Sequence, residues 1–585
     1  MSIPCGNSAD NISGKGASFD LAHECYAPHD GMSLVLGPID KPLVRITISG
    51  LLAEAASRFG AREAVVFCEQ GIRLTYRQLD RAVEQLATGL LALGLGKGDR
   101  LGIWSPNRFE WVLTQFATAR IGVLLVNINP AYRVSELEYA LNNSGCRALV
   151  LARSFKGSDY AGMIRSLAPE LEDSEPGCLN SERLPHLRHV IVLDDSDAPG
   201  AWNFNEVRKM GGREQQLRLL EIDSELSPND AINIQFTSGT TGSPKGATLS
   251  HFNIVNNARF VTDRIQLTEL DRLAIPVPLY HCFGMVMGVL GAVSKGAALV
   301  FPGEGFDPVG TLDALNKERC TAVYGVPTMF VAMLHELESR NLDLSCLRTG
   351  IMAGAPCPVE VMQRVNRDMN LNEITICYGM TETSPVSFQS FVDDPTKKRC
   401  ETVGRVHPHL EVKIIDAEGN MVPVGEQGEL CTRGYAVMKG YWNDEAKTSA
   451  AVRDGWMHTG DLAVLDIEGY CSITGRVKDV IIRGGENIYP REVEEFLFRH
   501  PKVSEAQVFG IPDEKYGEEV CAWVVANPGV RLTAIDLRNY CDGQISHFKV
   551  PRHFRIVREL PLTISGKPKK FVMRDRMIEE LRNST

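Results

Sequence analysis

The stretch QFTSGTTGSPKGA, residues 235–247, carries five hydroxyl side chains, three glycines and one lysine between Thr237 and Gly246. Such a loop can surround oxyanions, because glycine lets backbone N–H groups approach, hydroxyls donate hydrogen bonds and Lys245 supplies positive charge. It is not a Walker A loop, since Pro244 stands directly before the lysine. A flexible Ser/Gly/Thr linker is the alternative. The strand-like segment 231–236 before the loop favours phosphate binding.

On both sides of this loop, short apolar segments typical of strands alternate with amphipathic segments typical of helices. The predicted strands before the loop cover residues 64–68, 100–104, 121–127 and 147–152. Two capping boxes, Thr75 to Gln78 and Ser135 to Glu138, indicate helix starts, because each pairs a hydroxyl with a Gln or Glu three residues later. Strand, helix and strand at this spacing predict βαβ units around a parallel sheet. The same alternation resumes over residues 231–395.

The sequence pattern changes near Glu411, after which short alternating strands with glycine turns predict a small β-rich subdomain. A compact α+β segment follows Arg476, with a helix predicted to begin at Pro490. We therefore predict an α/β protein: a large N-terminal body of α/β subdomains with a small β-rich subdomain, plus a C-terminal α+β lid domain. The expected divisions are a loosely ordered leader at residues 1–45, the body at 46–476 and the lid at 477–585.

Composition indicates a large globular protein. The 585 residues include 62 basic and 73 acidic side chains, for a net charge of −11. This balance argues against a protein that mainly binds nucleic acid or an anionic membrane surface. The longest nearly uncharged apolar stretch, 282–294, ends at Lys295 and is too short to cross a bilayer. We expect a cytoplasmic protein with no transmembrane segment and no nucleic-acid partner.

The fifteen cysteines are scattered along the chain from Cys5 to Cys541. None forms a CxxC pair, and no Cys/His group has the sequence spacing of a zinc site. Dispersed cysteines in a chain of this length are typical of small core residues in a reducing compartment. The pattern excludes a disulfide scaffold.

Five motifs together resemble the adenylate-forming superfamily, which includes acyl-CoA synthetases, peptide-synthetase adenylation domains and firefly luciferases. TSGTTGSPKG at 237–246 resembles its phosphate-loop signature. The other matching strings are YGMTET at 378–383, WMHTGD at 456–461, GRVKD at 475–479 and PLTISGK at 561–567, in the superfamily's order and spacing. The resemblance covers the chain from about Ile46 onward.

Three further strings resemble the acyl-CoA synthetase branch. RGGENIYP at 483–490 resembles its coenzyme A loop, while PLYHCFG at 278–284 and YGVPTMF at 324–330 resemble the medium-chain fatty acyl subgroup. Related aryl and branched-acyl enzymes share the last two strings. The resemblance implies an AMP-forming acid–thiol ligase that uses ATP, Mg²⁺ and coenzyme A on a carboxylic acid, most simply a medium-chain fatty acid.

The resemblance also implies which residues bind the nucleotide. They are Thr237, Ser238, Gly239, Thr240, Thr241, Gly242, Lys245, Gly354, Ala355, Pro356, Tyr378, Gly379, Asp461 and Arg476. Asp461 can accept both ribose hydroxyls, since an ionised carboxylate accepts from two donors. Gly354 and Tyr378 would line the adenine slot, and Arg476 would reach ribose or phosphate. Ordinary turn, packing or surface roles are the alternatives for these residues.

Four residues are implied in catalysis: Lys567, His281, Thr381 and Glu382. Glu382 would hold Mg²⁺, a hard cation that prefers carboxylate oxygen, and Thr381 would hydrogen-bond the α-phosphate. His281 would lie where the acyl pocket meets the α-phosphate. A lone histidine among apolar residues is otherwise more often a hydrogen-bonded core residue.

Lys567 would stabilise the negative charge that builds up as the substrate carboxylate attacks the α-phosphorus. Pro568 follows it, where superfamily members usually carry an aliphatic residue. Lys569 and Lys570 are close in sequence, so a charged C-terminal tail is the alternative and the identity of the lysine that enters the site stays open. The Ser565-Gly566 register favours Lys567.

Thioester formation needs a second arrangement, in which coenzyme A reaches the acyl carbonyl. Superfamily members rotate the C-terminal domain about a hinge at the position that matches Lys478. This would replace Lys567 by the loop that contains Gly484 and Gly485, whose missing side chains leave a slot for the pantetheine arm. The resemblance therefore implies a mobile lid.

Three other activities share parts of this pattern. An adenylating enzyme that loads a carrier protein would share the first half-reaction, and a luciferase-like monooxygenase would share the scaffold but need oxygen. A nucleotide-binding sensor would bind ATP without turnover, but the joint presence of Glu382, Asp461 and Lys567 argues against it. The sequence leaves open the acyl chain and the oligomeric state, for which a homodimer is one expectation.

Overall fold

The computed structural model of the chain describes residues 26–193, 198–237, 244–484, 486–563 and 567–584. Within these residues, two large sheets form the body of the molecule. In the eight-stranded sheet the first six strands run parallel and the last two antiparallel. Its strands, from edge to edge, are Trp202–Asn203, His189–Val192, Ala148–Leu151, Arg100–Trp104, Leu124–Asn127, Ala231–Thr237, Lys245–Ser250 and Gly440–Tyr441.

The second large sheet has nine strands in the described residues, and its six central strands are parallel. From edge to edge they are Arg405–Val406, Val386–Gln389, Glu373–Gly379, Thr349–Ala353, Ala322–Gly325, Arg272–Ala274, Ala298–Phe301, Glu63–Phe67 and Ile72–Thr75. The prediction of an α/β body with parallel sheets is confirmed.

Helices connect these strands and cover the sheets. The α-helices are Ile48–Phe59, Tyr76–Ala92, Phe109–Arg120, Val134–Ser144, Tyr160–Leu167, Phe204–Val207, Arg213–Glu225, His251–Arg264, Gly291–Lys295, Pro308–Lys317, Pro327–Leu337, Val359–Asp368, Thr396–Glu401, Glu445–Ala451, Pro490–Phe498, Ala534–Cys541 and Lys570–Ser584, with a π-helix at Phe283–Leu290. Short 3₁₀ turns lie at His29–Gly31, Pro169–Asp173, Thr381–Thr383 and Val477–Asp479. Central strands such as Ala148–Leu151 and Thr349–Ala353 are buried throughout, as parallel strands covered on both faces must be.

Two smaller sheets follow the body, as the sequence pattern predicts. One comprises Leu34–Leu36, Leu410–Ile415, Gly428–Gly434, Trp456–Leu465, Val452–Arg453 and Cys471–Arg476. The C-terminal sheet comprises Glu486–Ile488, Ile481–Arg483, Gly517–Ala526, Val503–Asp513 and His553–Val557, and a two-stranded ribbon forms at Ser154–Phe155 and Ser158–Asp159. The helix that begins at Pro490 buries Val493 and Leu497 against the C-terminal sheet.

The expectation of a loose leader through residue 45 differs from the structure. Leu34–Leu36 forms an edge strand that pairs antiparallel with Leu410–Ile415, and Val35 at its centre is fully buried. Residues 1–25 lie outside the described part of the chain. The local pattern misses this strand because its partner lies more than three hundred residues away in the sequence.

One of the two predicted capping boxes is confirmed and the other is wrong. The Thr75 hydroxyl accepts from the Gln78 N–H at 3.4 Å, while the Gln78 side chain accepts from the Thr75 N–H at 2.8 Å. The second helix begins earlier than predicted, so Ser135 lies inside its first turn. There Glu136 accepts from the backbone N–H of Arg133 at 2.9 Å.

We predict that Thr75→Ala opens the first turn of the helix Tyr76–Ala92, because the lost cap is worth about 1 kcal/mol. Hydrogen exchange in peptides that cover this turn should become about fivefold faster. Ser135→Ala is the matched control, since that exposed hydroxyl does not cap its helix. Equal exchange rates in the wild-type protein and Thr75→Ala would contradict the assignment.

Candidate active site

The predicted phosphate loop joins two antiparallel strands of the eight-stranded sheet. Thr237 ends one strand, Lys245 begins the next, and the two residues pair directly across the ladder. The loop between them, with Ser238, Gly239, Thr240, Thr241 and Gly242, lies outside the described residues. The fold therefore places a basic side chain and a hydroxyl at the two ends of the loop.

Glu382 lies beside these loop ends and is only 5% exposed. Its Oε1 accepts hydrogen bonds from the Tyr441 hydroxyl at 2.9 Å and from Thr237 Oγ1 at 3.4 Å. Both bonds reach the same oxygen, so in the described structure Oε2 is the carboxylate atom that a cation can approach. A buried carboxylate oxygen near hydroxyl groups fits Mg²⁺, which prefers oxygen ligands and keeps several waters.

Tyr441 connects Glu382 to the end of the phosphate loop, a role that the motifs in the sequence do not predict. Its hydroxyl accepts from Lys245 Nζ at 3.3 Å and donates to Glu382, and the ammonium also lies 4.6 Å from the centre of the tyrosine ring. Glu382 raises the pKa of Tyr441 further above the value that burial produces, so the hydroxyl stays a donor. Lys245, Tyr441 and Glu382 thus form a chain of polar contacts at the triphosphate end of the site.

His281 is held as a neutral imidazole. Its Nδ1 accepts the Phe283 backbone N–H at 3.1 Å, and Cys282 Sγ lies 3.7 Å from the same atom. Burial, and secondarily the Lys567 ammonium, lower the pKa of His281 to about 3. The proton of the neutral ring is therefore on Nε2, which makes this nitrogen a hydrogen-bond donor. The 8% exposed Thr381 lies nearby, with its Oγ1 3.9 Å from Cys282 Sγ.

Lys567 interacts electrostatically with His281, Glu382 and Asp461, and the space that these side chains surround is called the cleft below. The backbone N–H of Lys567 donates to Thr563 Oγ1 at 2.9 Å, and its carbonyl accepts the Thr563 N–H at 2.7 Å. A Cβ added at Gly354 would lie 3.9 Å from Lys567 Cε. Lys570 instead pairs with Glu494 at 2.7 Å, so its ammonium is bound within the C-terminal region.

Opposing effects act on the pKa of Lys567. Burial, and next the positive charge of Arg476, lower the pKa of Lys567, while the carboxylates of Asp461 and Glu382 raise it. The residue keeps exposed surface in the cleft, yet surrounding protein replaces much of the water around its ammonium. Such a partly dehydrated cation interacts strongly with an anion that enters the cleft.

The carboxylate of Asp461 binds two other residues of the site. Its Oδ2 accepts from the Tyr378 hydroxyl at 2.6 Å and its Oδ1 accepts from Arg476 Nε at 2.8 Å. Burial, and then Asp461, raise the pKa of Tyr378, and Asp461 raises the pKa of Arg476 as well. Each carboxylate oxygen keeps further acceptor capacity, so the arrangement is compatible with ribose hydroxyls.

Two adjacent parallel strands supply the residues predicted to line the adenine slot. Thr349–Ala353 leads into Gly354, Ala355 and Pro356, and its neighbour Glu373–Gly379 ends in Tyr378 and Gly379. Gly354 has a left-handed φ of 90°, and a Cβ at Gly379 would lie 1.8 Å from the Pro385 carbonyl oxygen. Neither position accommodates a larger residue without local movement, so the two strand ends stay narrow.

The predicted hinge lies two residues after Arg476, and the predicted coenzyme A loop follows the next strand, Ile481–Arg483. Lys478 is exposed in the 3₁₀ turn Val477–Asp479, between the last strand of the β-rich sheet and the first strand of the C-terminal sheet. Gly484 has a φ of 59°, and its N–H donates to the Tyr516 carbonyl at 2.8 Å. Gly485 lies outside the described residues. The structure thus brings Lys567 to the cleft and holds Gly484 against its own sheet.

Comparison with known proteins gives this geometry a family. The profile of AMP-binding enzymes matches residues 52–442, and that of the AMP-binding enzyme C-terminal domain matches residues 492–567. The chain belongs to the AMP-binding enzyme family. The mitochondrial medium-chain acyl-CoA ligase ACSF2 of Bos taurus is 45% identical over 97% of the chain and 93% of its own length.

Solved structures of AMP-binding enzymes share the fold. A Mycobacterium tuberculosis fatty acyl CoA synthetase matches with a TM-score of 0.70 and 26% identity, over 91% of this chain and 98% of that one. ATP-bound MatB from Rhodopseudomonas palustris matches with a TM-score of 0.74 and 26% identity, over 91% and 99%. In the part of the chain that the structure describes, no helix combines the length and apolar character needed to cross a membrane.

We predict that Tyr441→Phe raises the Mg²⁺ concentration needed for pyrophosphate release, because the Glu382 carboxylate loses its 2.9 Å hydrogen bond from Tyr441. The Mg²⁺ concentration for half-maximal rate should rise about fivefold, the equivalent of about 1 kcal/mol. Tyr435→Phe is the control, since that hydroxyl contacts Asn257 instead. An unchanged Mg²⁺ dependence in Tyr441→Phe would contradict a positioning role for Tyr441.

We predict that His281 does not titrate between about pH 5.5 and pH 8 in the folded protein, because its lowered pKa keeps it neutral there. The ratio of adenylation rates for the wild type and His281→Asn should therefore be independent of pH in this range. Protonation of Nδ1 in the wild type below neutrality would instead produce a ratio that changes with a midpoint near the ordinary histidine pKa. That result would show that the imidazole is charged during the reaction.

Proposed function

We propose that the protein converts a carboxylic acid, ATP and coenzyme A into acyl-CoA, AMP and pyrophosphate, and that its acid is a medium-chain fatty acid. The observation that carries this proposal is the position of Lys567 near Gly354, in a cleft that also contains His281, Glu382 and Asp461. This arrangement supports a role for the Lys567 cation at the point where a carboxylate and an α-phosphate would meet.

In the first step a substrate carboxylate oxygen attacks the α-phosphorus, and pyrophosphate leaves with the electrons of the broken P–O bond. Lys567 stabilises the negative charge shared by the carboxylate and phosphate oxygens. The Nε2–H of His281 donates a hydrogen bond on the acyl side, and Thr381 does so on the phosphate side. Bound Mg²⁺, held by Glu382, would neutralise triphosphate charge.

In the second step the thiolate of coenzyme A attacks the acyl carbonyl and AMP leaves. We propose that the chain rotates near Lys478 between the two steps, which withdraws Lys567 and brings in the Gly484 turn. Lys478 suits this role because it is exposed in the short turn that joins the last strand of the β-rich sheet to the C-terminal sheet. The described arrangement, with Lys567 in the cleft, would correspond to the adenylation step.

The acyl chain would lie against the π-helix Phe283–Leu290, which directly follows His281 and is entirely buried. Within it, Met285 Sδ accepts from Asn127 Nδ2 at 3.2 Å and from Gln235 Nε2 at 3.3 Å, which ties the helix to the eight-stranded sheet. The name of the Bos taurus relative supports a medium-chain acid. An aryl acid and a carrier-protein acceptor are the alternatives.

The cellular location and the assembly remain predictions. The sequence predicts a cytoplasmic enzyme, whereas the ACSF2 relative is named mitochondrial. Fractionation of the native cells tests the first prediction. A homodimer would elute from size-exclusion chromatography with light scattering at about twice the 64.5 kDa chain mass.

We predict that pyrophosphate release from ATP and Mg²⁺ peaks at intermediate chain lengths across straight-chain acids from acetate to palmitate, with benzoate as an aryl comparison. Turnover should rise when coenzyme A is added, because the thiol removes the bound acyl-adenylate. Release that does not respond to coenzyme A would indicate another acyl acceptor. Absence of release with every acid, despite ATP binding, would overturn the proposed ligase activity.

A further inference from the structure

Three metal-ligating side chains meet on the β-rich sheet, outside the cleft described above. Glu429, Cys431 and His458 each offer one ligand atom, and in the described residues these atoms all lie within 4.8 Å of one another. Their sequence separation of up to 29 residues hides the group from any motif search. The fold brings them together by pairing Gly428–Gly434 with Trp456–Leu465, where Cys431 and His458 lie directly opposite.

We propose that Glu429, Cys431 and His458 bind one Zn²⁺ ion, with water as the fourth ligand. A tetrahedral ion with bonds of about 2.0–2.3 Å requires ligand atoms roughly 3.3–3.6 Å apart. Cys431 Sγ lies 3.6 Å from His458 Nδ1, and that nitrogen lies 3.0 Å from Glu429 Oε2. The third pair, Cys431 and Glu429, has its ligand atoms within 4.8 Å of each other, so these side chains would move closer together around the ion.

The chemistry of the three ligands selects this ion. Thiolate, imidazole and carboxylate together favour a borderline-soft cation over Mg²⁺, which prefers oxygen alone. Cys431 is fully buried against Ile415 and Trp456, while His458 and Glu429 keep 17% and 25% of their side-chain surface exposed. The ion would thus have an apolar wall behind it and a path to water for its fourth ligand.

While no ion is bound, the surroundings of Cys431 favour its neutral thiol. Burial, and then Glu429, raise the pKa of the Cys431 thiol, while Lys413 and Arg453 lower it. A bound cation would deprotonate the thiol outright and release its proton to solvent. Lys413 lies opposite Cys431 on the adjacent strand, with its ammonium 4.5 Å from the centre of the Trp456 ring.

The proposed metal site lies next to Asp461, the predicted ribose-binding residue. Glu429 Oε1 accepts the Gly460 backbone N–H at 3.1 Å, one residue before Asp461, while its Oε2 faces His458. An ion on Oε2 and Nδ1 would replace the present hydrogen bond between these side chains and leave the Gly460 contact in place. The two antiparallel strands would then be joined by metal bonds, and one of them, Trp456–Leu465, carries Asp461.

Cobalt(II) is the probe for the test, because its tetrahedral thiolate complexes absorb in the near ultraviolet and visible. The full-length protein, treated with chelator and titrated with Co²⁺, should bind one equivalent with a thiolate-to-cobalt charge-transfer band. Zn²⁺ should remove this band by displacement. Cys431→Ser should abolish it, whereas Cys471→Ser, at a fully buried cysteine of the same sheet, should retain it.

A second variant guards against misfolding of Cys431→Ser. Glu429→Gln keeps the thiol and a polar side chain, and it should lower the affinity for Co²⁺ at least tenfold while the band remains at saturation. Circular dichroism of each variant should match the wild type. A wild-type protein without the band, or a band that survives in folded Cys431→Ser, would overturn the proposed site.

Discussion

The ammonium of Lys567 must remain charged in a cleft that removes much of its water. Burial and Arg476 disfavour its positive charge, while Asp461 and Glu382 favour it. This balance matters because adenylation brings further negative charge to the same point, and a cation with few competing waters stabilises it strongly. The contacts around the cleft keep these charged groups at fixed positions relative to Lys567.

Two parallel strands supply some of the residues around the cleft. Thr349–Ala353 and Glu373–Gly379 are neighbours in the nine-stranded sheet, so their carboxyl ends open at the same edge. The eight-stranded sheet contributes the two ends of the phosphate loop and also Tyr441, which lies on its edge strand Gly440–Tyr441. Tyr441 thereby links Glu382 to Lys245 across the junction between the two sheets.

Local signals in the sequence predict local structure well. The Thr75 cap and the helix start at Pro490 both involve residues within one turn, and both occur in the structure. Ser135 shows the limit of such signals, because the helix begins earlier, at Val134, and the first-turn bond runs from the Arg133 N–H to the Glu136 side chain. Family motifs extend the reach to Lys567, Glu382 and Asp461, since those residues occur within characteristic strings.

Interactions between strands that are far apart along the chain cannot be predicted from local sequence patterns. Tyr441 and Glu382 are 59 residues apart, and nothing near Tyr441 distinguishes it from an ordinary strand residue. The edge strand Leu34–Leu36 and the Glu429, Cys431 and His458 group arise in the same way, from pairing between strands whose register only the folded chain sets.

The most direct measurement compares the two half-reactions in Lys567→Ala, with Lys570→Ala as control because that lysine pairs with Glu494. We predict that Lys567→Ala slows acyl-adenylate formation by about a hundredfold or more. Thioester formation from supplied acyl-adenylate and coenzyme A should stay within about twofold of wild type, since Lys567 leaves the cleft in that step. Equal loss of both half-reactions, or normal adenylation, would contradict the proposed role of Lys567.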